Sequence, residues 1–99
     1  MEIKLPWFVE ELREKDPDFF PVVKSVVESA LKTRALDLKT TYLVVLALDA
    51  AKNAEQGVKV LAEQARAAGA SEEEIKEVLR LAYYVSGMDV IKTSLKAFE

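Results

Sequence analysis

The sequence predicts an all-α fold, a single-domain bundle of about six helices that assembles into oligomers. Three features carry the prediction. Apolar residues recur at three-and-four spacing rather than in strict alternation, as helices with one buried face require. Helix-start signatures precede several of these runs, most clearly Ser71-Glu72-Glu73-Glu74. The stretch Tyr42 to Ala51 is apolar at every position but Asp49, and a helix apolar on nearly all sides is buried on nearly all sides. Since 51% of the 99 residues are hydrophobic and a domain this small has little interior, part of that surface is expected between subunits.

The first element is a short amphipathic helix from about Leu5 to Glu14, with Pro6 in its first turn, where a missing N–H does no harm. Asp16-Pro17 restarts the pattern as N-cap and first helical residue. The second helix carries Phe19, Phe20, Val23, Val26, Val27, Ala30 and Leu31; its valines suit strands, yet their spacing is helical. After the link Thr33–Leu36, Asp37 is placed to cap the third helix, which ends near Lys52. Asn53-Ala-Glu-Gln56 reads as a capping box for a fourth helix, Ala54 to Ala68. Its small residues, Ala54, Gly57, Ala62, Ala65 and Ala68, permit close packing on the third helix, and Gly69 stops it. Helix five turns Ile75, Val78, Leu79, Ala82 and Val85 inward, and Gly87 punctuates it. A sixth helix then turns Val90, Ile91, Leu95 and Phe98 inward. No linker or repeat interrupts residues 1–99, which read as one domain.

Composition removes several function classes. The chain has no cysteine and no histidine, so disulfides, thiolate nucleophiles and the usual zinc sites are excluded. The side chain best suited to proton transfer near neutral pH is missing too. Neither metal nor cofactor is expected. A net charge of −3 without a Lys/Arg cluster argues against nucleic acid. The longest apolar run, roughly 15 Å of helix, spans half a bilayer core, so no membrane partner is expected. No basic segment followed by an apolar one opens the sequence; no signal peptide is expected, and the expected location is the cytoplasm.

Candidate chemistry gathers at the corner between the third and fourth helices: Tyr42, Asp49, Lys52, Asn53 and Gly57. Asp49 is either a pocket carboxylate whose pKa rises on burial, or a group paired with Lys52 or Lys59 or placed at an exposed subunit edge. Tyr42 is either a phenolic donor or a core residue. Ala54 and Gly57 leave space beside helix N–H groups, which a small anion or simply Leu61 would fill. The pairs Tyr83-Tyr84 and Trp7-Phe8 read as packing residues, and the Glu72–Glu74 run as a solvated helix start.

The region from Asp37 to Gly87 resembles the carboxymuconolactone decarboxylase and alkylhydroperoxidase-D-like family. LDLKTTYLVVLAL resembles the beginning of that family's core helix, and LAEQARAAGASEEEIKEVLRLAYYVSGMD its helix-turn-helix. DPDFFPVVKSVVESALK is similar to its lead-in helix, so the resemblance covers most of the chain. It implies a helical bundle and a homo-oligomer, a trimer or hexamer, and by label a hydroperoxide-reducing or decarboxylase activity. Redox members carry a core-helix glutamate and, past the corner, Cys-x-x-Cys followed four residues later by His. The resemblance lays those positions on Tyr42, Ala54, Gly57 and Leu61, none of which has the side chain for its role. Decarboxylase-type members keep a His near this site, and this chain has none. The reading is therefore a family protein with a degenerate active site and no catalytic residue carried over. Its role would be a non-redox one, binding a small apolar or anionic ligand or serving as structure. The alternative is an enzyme that uses non-family residues such as Tyr42, Asp49 and Lys52.

Overall fold

The computed structural model describes residues 4–99. Among these residues it is all-helical, with five α-helices and a closing 3-10 turn. The helices are α1 (Trp7–Lys15), α2 (Phe20–Leu31), α3 (Leu38–Ala51), α4 (Glu55–Ala67) and α5 (Glu72–Ser94); the turn spans Leu95–Phe98. They fall into two compact units, Met1–Asp37 and Leu38–Glu99.

In the first unit, Pro6 stands just ahead of α1, with extended backbone. Val9 of α1 and Phe20 of α2 are buried, and the Arg13 guanidinium lies 4.3 Å over the Phe20 ring. Arg13 also reaches Glu10, 3.2 Å away and one turn earlier. Asp16 acts as expected at the start of the second helical segment: its carboxylate accepts from the Phe19 N–H at 3.2 Å. Of the apolar stripe on α2, Phe19 and Val26 are nonetheless exposed. Trp7 and Phe8 meet edge to face at 5.7 Å while both stay exposed, so they pack mainly on each other.

The second unit holds the larger core. Leu43 and Leu46 of α3, Ala65 of α4 and Ile75 of α5 form its buried centre, and Leu46 is wholly enclosed. Tyr42, Val58, Leu61, Ala62, Ala70, Val78 and Leu79 pack around them. Ala65 and Ala62 face α3 with almost no side chain between the backbones, the close approach that small residues allow.

Helices α3 and α4 end by one device. Past α3, Asn53 adopts a left-handed conformation (φ 60°), its N–H bonds Ala50 O at 3.2 Å, and the Ala54 N–H bonds Asp49 O at 2.9 Å. Past α4, Gly69 (φ 102°) bonds Arg66 O at 2.9 Å, and Ala70 bonds Ala65 O at 2.9 Å. Each is a Schellman motif, in which crossed bonds satisfy carbonyls left over at the helix end. The capping box expected from Asn53 and Gln56 is therefore not made. Ala54 precedes α4 without a side-chain cap, because Asn tolerates the left-handed conformation and is used there to stop α3.

The capping box at Ser71 is made in full: Glu74 N–H donates to Ser71 Oγ at 3.1 Å, and Ser71 N–H to Glu74 Oε1 at 2.9 Å. Glu74 Oε2 also takes Lys39 Nζ at 2.8 Å, tying the start of α3 to the start of α5. Arg66 pairs with Glu72 at 2.6 Å and Lys76 with Glu73 at 3.4 Å, so each acid of that run has a basic partner.

Three expectations fail, one about helix continuity and two about burial. The sixth helix does not form separately, because Gly87 lies inside an unbroken 23-residue α5; a lone glycine weakens a helix without ending it. Val85, Val90, Ile91, Leu95 and Phe98, expected inside, are exposed, as are Tyr83 and Tyr84. On α3, Val44 is 45% and Leu48 58% exposed, so this helix is buried on one face and bare on another. Among the described residues no helix is long and apolar enough to cross a membrane.

Candidate functional site

The corner is built by the left-handed Asn53, which turns the chain from α3 into α4 within three residues. That turn brings Asp49, in the last turn of α3, over Gly57, in the first turn of α4. A Cβ placed on Gly57 would run into Asp49 Oδ2 and lie 2.9 Å from its Cγ, closer than real carbon atoms approach. The missing side chain at Gly57 is thus space taken by the Asp49 carboxyl. Leu61, the residue expected to fill that space, instead packs on the core formed by Leu43, Leu46, Ala65 and Ile75.

Asp49 is half-buried, and that partial loss of water pushes its pKa above the usual carboxylate value. Among the described residues it forms no ion pair, with Lys52, Lys59 or any other cation. It sits instead beside the opening turn of α4, whose first N–H groups give the helix a positive end. Lys52 and Asn53 are exposed, and Tyr42 packs on the core. Tyr42 lies seven residues before Asp49 on α3, which puts both on one face, about 10 Å apart along the axis.

A surface concavity lies elsewhere. A groove of about 320 Å³ runs between α3 and α5, lined by Thr40, Leu43, Val44, Ala47 and Leu48 from one and Val78 and Leu81 from the other. None of Tyr42, Asp49, Lys52, Asn53 or Gly57 contributes to it. Sequence reasoning attributed the outer face of α3 to burial and so missed it as a groove. The signal was the row Thr40, Val44, Ala47 and Leu48 on α3, which lies beside the core-facing Leu43 and Leu46 and is apolar but for Thr40.

The fold and corner define an all-helical protein whose second unit is built on a close-packed α3–α4 pair. The chain belongs to the carboxymuconolactone decarboxylase family, whose profile matches residues 17–99. It is similar to two proteins of Methanocaldococcus jannaschii, both described as uncharacterized. MJ0742 is 27% identical over 89 residues, which cover 89% of this chain and 86% of that protein. MJ1511 is 30% identical over 80 residues, covering 81% and 75% respectively. No solved structure matches the chain.

Proposed function

We propose that this family member works without redox chemistry, as a cytoplasmic homo-oligomer, a trimer or hexamer, that binds a small apolar ligand or serves as structure. The observation that carries this is the state of the corner. Where the family resemblance lays two cysteines stand Ala54 and Gly57, and the space over Gly57 holds the Asp49 carboxyl. With no thiol and no imidazole in these 99 residues, electron and proton relay of the family type has no atoms to run on. An anionic ligand at the corner would meet the Asp49 charge, whereas the groove between α3 and α5 has an apolar lining that suits an apolar one.

A second reading, an enzyme of the decarboxylase or lyase type, draws on one feature. Asp49 is half-buried with no cationic partner among the described residues and has a raised pKa, the conditions under which a carboxylate serves as a general base. Lys52, one turn past Asp49, is the group placed to assist it, whereas Tyr42 shares its face about 10 Å further back along α3.

Native mass spectrometry of the purified protein tests the first reading, with a trimer or hexamer and any retained molecule as its readout. A peroxidase assay with a dithiol donor should show no turnover above background; dithiol-dependent peroxide reduction would overturn the non-redox assignment. Asp49→Asn separates the two readings: the oligomer should stay assembled with ligand binding intact. Loss of a measurable turnover in that variant would favour the enzyme.

A further inference from the structure

The far half of α5 has no partner in its own unit. Ile75, Val78 and Leu79 serve the core, but from Leu81 onward every large apolar side chain is exposed. Six of them, Leu81, Tyr84, Met88, Ile91, Leu95 and Phe98, follow one another at steps of three, four, three, four and three. That alternation is the seam of a helix pair, in which each knob enters a hole on the facing helix. In the closing 3-10 turn, residues three apart stand in line, so Phe98 stays on the side of Leu95.

We propose that this face of α5, Leu81 to Phe98, is where a second copy of the chain docks, its α5 running antiparallel about a two-fold axis. The inference rests on the self-association proposed above and, of the two assemblies named there, fits the hexamer, built as three such two-fold pairs, and not the trimer. The step pattern reads the same backwards, as a two-fold contact between identical patches requires. Antiparallel pairing sets Leu81 against the partner's Phe98, Tyr84 against the partner's Leu95, and Met88 against the partner's Ile91. The two helix dipoles then oppose rather than reinforce each other.

Gly87 fits the same arrangement. Beyond its neighbours and the backbone of its own helix turns, no described atom lies within 4 Å of where its Cβ would be, so no internal contact calls for glycine in the middle of this helix. Across the antiparallel seam it falls beside the partner's Ser94, and two small residues on one flank let the helix axes close. Six side chains with roughly 100 Å² open on each give about 1,200 Å² over both copies, the lower limit of stable interfaces.

The chain's lack of cysteine makes introduced thiols clean reporters. Met88→Cys and Ile91→Cys chains are oxidised separately and as an equimolar mixture. The expected result is a mixed 88–91 disulfide formed several-fold faster than either symmetric one; dominant 88–88 and 91–91 disulfides would overturn antiparallel pairing. Ile91→Glu, at a residue exposed in the single chain, should keep its helical circular dichroism and lower the subunit number by native mass spectrometry. A variant with the wild-type subunit number refutes this seam while leaving self-association intact. A wild-type chain that is monomeric at tens of micromolar refutes both.

Discussion

Gly57→Ala puts the corner geometry to a quantitative test. In an exposed helix, alanine in place of glycine gains about 1 kcal/mol of helix propensity. Here the added methyl meets the Asp49 carboxyl, with its carbon only 2.9 Å from Cγ. Forcing a methyl into occupied space costs about 1–3 kcal/mol, and Asp49, being half-exposed, can swing aside, which favours the lower end. The single variant should therefore be neutral to about 2 kcal/mol less stable. In an Asp49→Ala background the obstacle is gone, and the same change should stabilise by about 1 kcal/mol. The coupling between the sites is then about 1–3 kcal/mol, well above the scatter for independent positions. Urea or thermal unfolding followed by circular dichroism measures it, with protein concentration held fixed because assembly shifts the midpoint. At this chain length 1 kcal/mol moves Tm by roughly 4–8 °C. If Gly57→Ala stabilised both backgrounds equally, Asp49 would not occupy that space and the corner would be wrongly drawn.

Asp49→Asn should raise stability at pH 7, where the charged carboxyl sits partly out of water. A pKa raised in the folded chain means stability falls as pH climbs from the ordinary value of 3.8 through the raised one. The benefit of Asn should hence fade below pH 3.8, and an Asn variant less stable at pH 7 would contradict it. The shifts at Glu72 and Glu74 run the other way, lowered first by the hydrogen bonds from Arg66 and Lys39. Their stabilisation is complete above 4.5 and is lost as pH falls through the lowered values, which acid titration of Arg66→Ala and Lys39→Ala variants should detect as flatter profiles. Ser71→Ala removes one half of the capping box and should cost about 1 kcal/mol in chemical denaturation. Leu46→Ala opens a void at the one large side chain that is fully enclosed among the described residues, and should cost about 2–5 kcal/mol, against under 1 for the exposed Leu48→Ala.

Local signals with a single meaning were legible. Ser71 followed by Glu74, and Gly69 before them, can only be read as one helix stopping and another starting, and both perform those roles. Asn53 has two meanings, since the same side chain that caps a helix start also tolerates the left-handed turn that ends one. The family resemblance found the right frame without helping there. Gly87 was misread for a similar reason, because glycine weakens a helix whether or not the helix continues. Apolar spacing located the faces of α5, but periodicity says only that a face wants cover. It does not say whether the cover comes from the same chain, and Leu95 and Phe98 are bare in this one. The contact of Asp49 with Gly57 left no trace in the sequence, since it depends on the angle at which Asn53 swings α4 back.

The Asp49–Gly57 contact also sets an order on change. While Asp49 stands where it does, a side chain arriving at position 57 must push its carboxyl aside, so the aspartate sets the penalty on any change there. A smaller residue at 49 lifts that penalty beforehand. The two positions thus have a preferred order of change. A descendant of this chain would regain a reactive group at 57 more readily by changing 49 first than by the same steps reversed.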